Sequence, residues 1–263
     1  MKPLPLVTSL SNSTIKQARA LRQRKGRSET GLFLVEGLHH VGEALEAGWD
    51  LELLLYAPDL LVSDFGHGLV DRLTGLPVRL QPVSSRVMES LAEKDNPQGL
   101  LAIVHQRALD FEALGAAGKI VALVSPQDPG NVGAILRTID ASGADGLCVL
   151  DSSVDLYHPR AVRASMGTLF WKPVVQATFT EFIDWARARG IQLLGTSARA
   201  SVNYRAFTPY EPWALVMGSE QKGLSEAQLS ACDAALSLPM HGRVSSLNLA
   251  VATGILLYAL SSQ

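Results

Sequence analysis

Ile120-Val-Ala-Leu-Val124, then Ser125-Pro-Gln-Asp-Pro-Gly130, then Asn131-Val-Gly-Ala-Ile-Leu-Arg137-Thr138 is the stretch on which the fold turns. A run of apolar residues without alternation reads as a strand covered by helices on both faces, the habit of parallel sheets. The Pro- and Gly-bearing loop ends it, and Asn131 reads as the cap of a helix whose Ile135, Leu136 and Ile139 share one face. Leu147-Cys-Val-Leu150 supplies the next strand, which completes a βαβ unit.

Working outward toward the C-terminus, short strands are expected at Pro173 to Gln176, Ile191 to Gly195, Ala214 to Met217 and Ala235 to Leu238. A helix is expected at Phe182 to Arg189, and a long last helix from about Ser246. Toward the N-terminus the pattern is a smaller α/β unit. It contains a capped helix from Ser11 to Lys25, a strand at Phe33-Leu-Val35, a helix from Gly37 to Ala47 and a strand from Leu51 to Ala57. Val78-Arg-Leu80, a helix from Ser84 to Leu91 and the strand Leu100-Leu-Ala-Ile-Val104 finish it. The segment from Arg107 to Gly118 separates the halves, giving domains at 1–106 and 119–263 with a linker at 107–118.

Composition bounds the function. The 263 residues are 47% hydrophobic and 18% charged, the balance of a folded globular chain. No run approaches the roughly 18 apolar residues of a membrane helix, and Met1-Lys-Pro-Leu-Pro5 lacks a signal-peptide core, so a cytoplasmic location and no membrane partner are expected. Cys148 and Cys232 stand far from any metal or disulfide spacing and read as buried structural thiols. No metal is expected. The net charge of −2 conceals a local basic run of Lys16, Arg19, Arg22, Arg24, Lys25 and Arg27 with no acid among them. Such a run is either a solvated helix face or a contact for a phosphate backbone.

The usual nucleotide signatures fail. No GxGxxG follows the first strand of either half, and Gly218-Ser-Glu-Gln-Lys-Gly223 has P-loop glycine spacing but is followed by Leu224-Ser225 in place of Lys-Ser/Thr. Three other segments carry glycine and polar residues at strand ends, where a parallel sheet presents its ligands. In the first, Asn131 and Arg137 lie within two helical turns, and the arginine offers a planar donor fork. Ordinary roles exist for both, as cap and as surface residue. In the second, Met217-Gly-Ser-Glu-Gln-Lys-Gly-Leu-Ser225, the glycines suit a tight turn and Ser225 a helix cap, while Glu220 is placed to orient a ligand. In the third, Leu238-Pro-Met-His-Gly-Arg-Val-Ser-Ser-Leu-Asn248, Ser245 or Ser246 is an obvious cap, and Asn248 stands one turn into the helix without such an account. Pro239, Met240 and Gly242 describe a constrained loop whose backbone could hold an adenine edge.

Taken jointly and in order, these segments resemble the three motifs of the SpoU/TrmH family of RNA 2′-O-methyltransferases. Asn131, Gly133 and Arg137 fit the first, Gly218, Glu220 and Gly223 the second, and Pro239, Ser246, Leu247 and Asn248 the third. The resemblance runs from Ile120 to the C-terminus. It implies an α/β fold with a C-terminal parallel-sheet domain tied in a deep trefoil knot, and a homodimer. It also implies S-adenosyl-L-methionine as cofactor, held at Gly218, Leu238, Met240 and Leu247, with Thr196, Ser197 and Ala198 beside it. The first half resembles, more loosely, the L30e-like substrate-binding domain of part of this family, through Phe33-Leu-Val-Glu-Gly-Leu-His-His40 and Asn96-Pro-Gln-Gly-Leu-Leu-Ala-Ile-Val104. With that context the basic run becomes the expected RNA contact.

The implied reaction is an in-line displacement in which a ribose 2′-hydroxyl takes the sulfonium methyl. Arg137 is the expected phosphate anchor and alkoxide stabiliser, although the resemblance also permits it as the base, with Asn131, Glu220, Ser246 and Asn248 as orienting residues. A separate N-terminal domain favours ribosomal RNA of the 23S type over transfer RNA as partner. The alternatives are a tRNA 2′-O-methyltransferase, a base methyltransferase and a non-catalytic RNA-binding or ribosome-assembly protein.

Overall fold

The computed structural model describes residues 4–93, 96–151 and 154–261. Met1 to Pro3, on which the reading of the N-terminus rests in part, lie outside them. In chain order the first half holds α1 (Ser13–Ala20), α2 (Arg24–Thr30), β1 (Leu32–Glu36), α3 (Leu38–Glu46) and β2 (Leu51–Tyr56). It continues with α4 (Asp64–Leu73), β3 (Arg79–Pro82), α5 (Ser85–Leu91) and β4 (Leu100–His105). Its sheet has the order β1-β4-β2-β3, antiparallel except for the parallel β2–β3 pair.

The single helix expected from Ser11 to Lys25 is two helices. Asn12 caps the first, its side chain accepting from the Thr14 amide, and Gln23 returns the backbone to extended geometry before the second. The break lets the chain fold back on itself, so that an added Cβ on Gly26 would stand 2.3 Å from the Ala20 carbonyl oxygen. Arg27 is buried by the same turn, 1% exposed, with Nη1 donating 2.7 Å to the Leu21 carbonyl. Arg27 therefore leaves the expected RNA-binding set. A guanidinium spent on an internal carbonyl and sealed from solvent cannot reach a phosphate.

The second half begins with β5 (Lys119–Val124), α6 (Pro129–Ala141) and β6 (Gly146–Leu150), then α7 (Pro159–Ala164) and α8 (Thr168–Trp171). It continues through β7 (Val174–Ala177), α9 (Phe179–Ala188), β8 (Gln192–Thr196), β9 (Val202–Asn203) and β10 (Trp213–Met217). It closes with α10 (Glu226–Ser230), β11 (Ala234–Ser237) and α11 (Leu249–Ser261). Seven strands form one parallel sheet in the order β7-β6-β5-β10-β8-β11-β9. The apolar run at 120–124 lies inside it, next to the middle strand β10, and is buried throughout, as covered faces require.

Two caps differ from expectation. Asp128, not Asn131, caps α6, and Pro129 takes the first helical position, where its missing N–H costs nothing. The last helix starts at Leu249 rather than near Ser246, and Asn248 caps it by accepting from the amides of Ala250 at 2.9 Å and Val251 at 3.3 Å. Ser245 and Ser246 precede it as exposed loop residues. Thr178 and Glu181 form a capping box that carries α9 three residues further back than Phe182.

The chain divides into two compact units, one of Met1–Arg107 with Tyr157–Phe170, the other of Ala108–Leu156 with Trp171–Gln263. The first thus borrows a segment from the middle of the second half. Tyr157 (7% exposed) and Phe170 (5%) close an aromatic cluster with Phe33 and Trp49, and the Trp49 indole donates 3.0 Å to the Phe170 carbonyl. His39 and His40 reach the carbonyls of Met166 and Arg163 in the same segment. The first part of 107–118 contains a short 3-10 turn, Phe111–Leu114, whose Leu114 joins the core of the second unit.

Candidate active site

The C-terminal ends of β8, β10 and β11 carry three loops that enclose a cavity of about 770 Å³ within the second unit. Thr196, Ser197 and Ala198 line it after β8, Gly218 to Leu224 after β10, and Leu238, Met240, Ser246 and Leu247 after β11. All seven residues expected to hold the cofactor are on its walls, with Glu220 and Ser246 beside them. The volume lies within the range of sites that enclose small molecules, about 300 to 1,000 Å³.

The loop after β10 is built on two glycines with separate tasks. Gly223 adopts φ +66°, and its N–H closes the turn onto the Ser219 carbonyl at 2.9 Å. Gly218 is buried against that turn, and a Cβ there would stand 2.1 Å from the Gly223 carbonyl carbon and 2.3 Å from the Leu224 nitrogen. The ordinary reading of these glycines is correct. Their packing leaves Glu220 at the tip.

Glu220 is held from two directions. Its Oε2 accepts from the Gln127 amide at 3.2 Å and its Oε1 from Asn131 Nδ2 at 3.1 Å. Asn131 Oδ1 in turn accepts from Asn248 Nδ2 at 2.9 Å. A chain of side-chain hydrogen bonds therefore joins all three motifs, from the α11 cap through the first turn of α6 to the β10 loop. Donor and acceptor roles are fixed along it, because an ionised carboxylate only accepts, so each amide presents its nitrogen toward Glu220 and its oxygen away.

Arg137 sits two turns along α6 from Asn131, is exposed, and makes no hydrogen bond or ion pair among the described residues. Asn131, Arg137 and Asn248 are not among the cavity's walls. Of the expected RNA contacts, Lys16 and Arg19 on α1 and Arg24 and Lys25 on α2 are exposed, Lys25 facing Glu29 at 3.8 Å across solvent, while Arg22 is half-buried. Sequence reading missed Arg163, which belongs to the first unit through the borrowed segment. The only signal for that placement was a pair of aromatic residues, Tyr157 and Phe170, flanking a segment with no strand of its own. Neither cysteine serves the site. Burial pushes the Cys148 thiol far up, and burial with a contribution from Asp233 raises the half-buried Cys232 to about 11. The expectation of a fully buried thiol thus fails for Cys232.

A parallel α/β sheet with a ligand-sized cavity at its strand ends, bordered by a carboxylate held through two asparagines, is an α/β ligand-binding site with no dinucleotide fingerprint. The chain belongs to the SpoU rRNA Methylase family, whose model matches residues 118–258, and residues 12–102 match an MRM3-like substrate binding domain. It is 31% identical to the Bacillus subtilis 23S rRNA (guanosine(2553)-2′-O)-methyltransferase RlmP, over 97% of this chain and 98% of that one. Identity to the Streptomyces viridochromogenes 23S rRNA (uridine(2479)-2′-O)-methyltransferase is 33%, over 94% and 88% of the two chains. The AdoMet-bound rRNA methyltransferase of Sinorhizobium meliloti superposes with a TM-score of 0.90 at 36% identity, covering 98% of this chain and 97% of that one.

Proposed function

We propose that this protein methylates a ribose 2′-hydroxyl of 23S-type ribosomal RNA, with S-adenosylmethionine as the methyl donor. The observation that carries the reading is the hydrogen-bond chain Asn248–Asn131–Glu220 at the lip of the 770 Å³ cavity. Two relatives of similar identity are named for different bases, guanosine and uridine, and for the same ribose position. Their shared chemistry is addressed to the sugar.

The cavity suits the cofactor by its construction. Its walls include Gly218, Leu238 and Leu247 with apolar surface at Met240, and Gly218 packs directly on the Gly223–Leu224 backbone, which fixes the loop that borders it. When bound there, S-adenosylmethionine supplies an electrophilic methyl on a sulfonium. The protein's own task is then positional and electrostatic. Arg137, which makes no hydrogen bond or ion pair among the described residues, holds an RNA phosphate and stabilises negative charge growing on the 2′-oxygen. Glu220 and Asn131 orient the ribose, and Ser246 offers a hydroxyl at the cavity wall. Lys16, Arg19, Arg22, Arg24 and Lys25 form the backbone contact of the first unit.

The working form is a homodimer. Val251, Ile255 and Tyr258 are 37% to 50% exposed and recur at helical spacing on α11, and exposed Val244 and Leu247 precede them beside the cavity. A second copy is the occupant that this stripe suits, since it would bring a second α11 to the same loops. β10 enters between the earlier β5 and β8 and α11 returns onto α6, an order that supports a trefoil threading of the chain. Among the described residues no helix is long and apolar enough to cross a membrane, and a bacterial-type 23S substrate supports a cytoplasmic location.

The test is transfer of radiolabelled methyl from S-adenosylmethionine to unmodified ribosomal RNA and to partly assembled subunits, followed by nuclease digestion and nucleoside analysis. A labelled 2′-O-methylnucleoside from 23S RNA is expected. Label on a base, or on transfer RNA, would overturn the assignment, and failure to bind the cofactor with RNA binding intact would leave a non-catalytic RNA-binding protein.

A further inference from the structure

The first unit contains a second pocket, remote in sequence from the three motifs. Glu36, at the end of β1, lies in its wall. Its Oε2 accepts from the Glu93 amide at 2.9 Å, whereas Oε1 is buried and has no hydrogen-bond partner among the described residues. A buried acceptor without a donor is rare in folded proteins and calls for an explanation. The surroundings narrow it. Glu93 lines the same pocket and pairs with Arg163 Nη1 at 3.2 Å, while Arg22 lines it without a hydrogen bond or ion pair among the described residues. His40 is held at the wall by the Arg163 carbonyl, and Leu34, Leu91 and Leu101 make an apolar floor.

Two carboxylates face two guanidiniums, so the pocket's charges balance before anything enters. That argues against a metal ion and against an anion, and for a neutral ligand bearing N–H donors. The free volume is about 30 Å³. One water-sized group needs roughly 10 to 15 Å³, so the pocket admits the edge of a flat ring and not the whole ring. Unpaired RNA bases are read on such edges while their faces rest on arginine planes.

We infer that this pocket receives the amino-bearing edge of an unpaired RNA base, with guanine, whose ring N–H and amino group are adjacent donors, as its best fit. Glu36 Oε1 takes one donor, and the Glu93 carboxylate in the same wall takes the other. Arg22 and Arg163 flank the ring and its phosphate. The inference rests on the RNA-methyltransferase reading but concerns a pocket apart from the cofactor cavity, and Arg22 changes from a general phosphate contact to part of a base-reading site.

The experiment is an NMR titration of the full-length protein, saturated with S-adenosylhomocysteine, with guanosine and inosine 5′-monophosphate. It is repeated with a single-stranded RNA hexamer carrying one G or one inosine. Inosine lacks only the amino group. Wild type should prefer G over inosine by roughly tenfold in both formats, the scale of one hydrogen bond to a charged acceptor. Glu36→Gln, which keeps an oxygen for the Glu93 amide, should abolish the preference, and Arg22→Ala should weaken both ligands alike. A preference that persists in Glu36→Gln, or G binding by the mononucleotide and not by the hexamer, would overturn the inference. Saturation with S-adenosylhomocysteine, checked first, separates that failure from failure of the methyltransferase reading itself.

Discussion

Asn248 Nδ2 donates to Asn131 Oδ1 across 2.9 Å, while Asn248 Oδ1 caps α11. One side chain thus starts a helix with its oxygen and, with its nitrogen, sets which way Asn131 faces. Asn131 in turn must present Nδ2 to Glu220.

The two tasks of Asn248 separate by substitution. Asn248→Ala removes both and should cost about 1 kcal/mol of stability from the lost cap, together with most of the turnover. Asn248→Asp keeps an acceptor for the helix amides and loses the donor, so the melting temperature should stay near wild type while turnover falls. Thermal denaturation beside the methyl-transfer assay reads both. Equal loss of stability in the two variants would show that the cap was not the distinction.

Asn131→Asp sets a carboxylate where an amide nitrogen now meets Glu220 at 3.1 Å. Each negative charge favours the protonated form of the other, so the pair should hold one proton to a higher pH than an ordinary carboxylate does. Turnover at neutral pH should drop on the order of a hundredfold. Lowering the pH returns an O–H donor between the two groups, so activity should recover in part on the acid side. A pH–rate profile parallel to wild type would refute this.

Gly218→Ala drives a Cβ to 2.1–2.5 Å from the backbone of Gly223 and Leu224. Backbone cannot yield as a flexible side chain does, and overpacking of this kind costs about 1–3 kcal/mol. Cofactor affinity, measured by calorimetry, should fall by far more than in Ser246→Ala, whose side chain is exposed and makes no hydrogen bond among the described residues.

A fragment of residues 1–107 lacks Tyr157 and Phe170 and so bares the faces of Phe33 and Trp49, and the Trp49 indole loses its carbonyl. It should aggregate or fold poorly by itself. In the full chain Trp49→Ala should cost about 3–5 kcal/mol, the usual loss for a buried large aromatic. A fragment that stayed monomeric with native dispersion in its NMR spectrum would refute the dependence on the borrowed segment.

The thiols give a check on the second unit. Raised pKa values mean less thiolate at neutral pH, so native protein should resist iodoacetamide at pH 8. Labelling of Cys232 should climb by about tenfold per pH unit below 11, and Cys148 should label only on unfolding. Mass spectrometry of the labelled peptides distinguishes the two.

By itself the sequence determined the parallel-sheet class, from the unbroken apolar run at 120–124, and the three loops, from glycine and polar residues placed after apolar strands. Local chemistry suffices there, because strand burial and tight turns are written in consecutive residues. Only the tertiary structure decided that Asp128 and Asn248 are the caps, since several neighbouring side chains could cap and packing selects one. It also decided that Arg27 is buried, that the segment 157–170 completes the first unit, and that Asn131, Glu220 and Asn248 form one hydrogen-bond chain. Apart from the local turn that buries Arg27, those are contacts between residues 89 to 137 positions apart or choices among equal local options, and the order in which strands insert into a sheet, not the identity of any residue, brings them together.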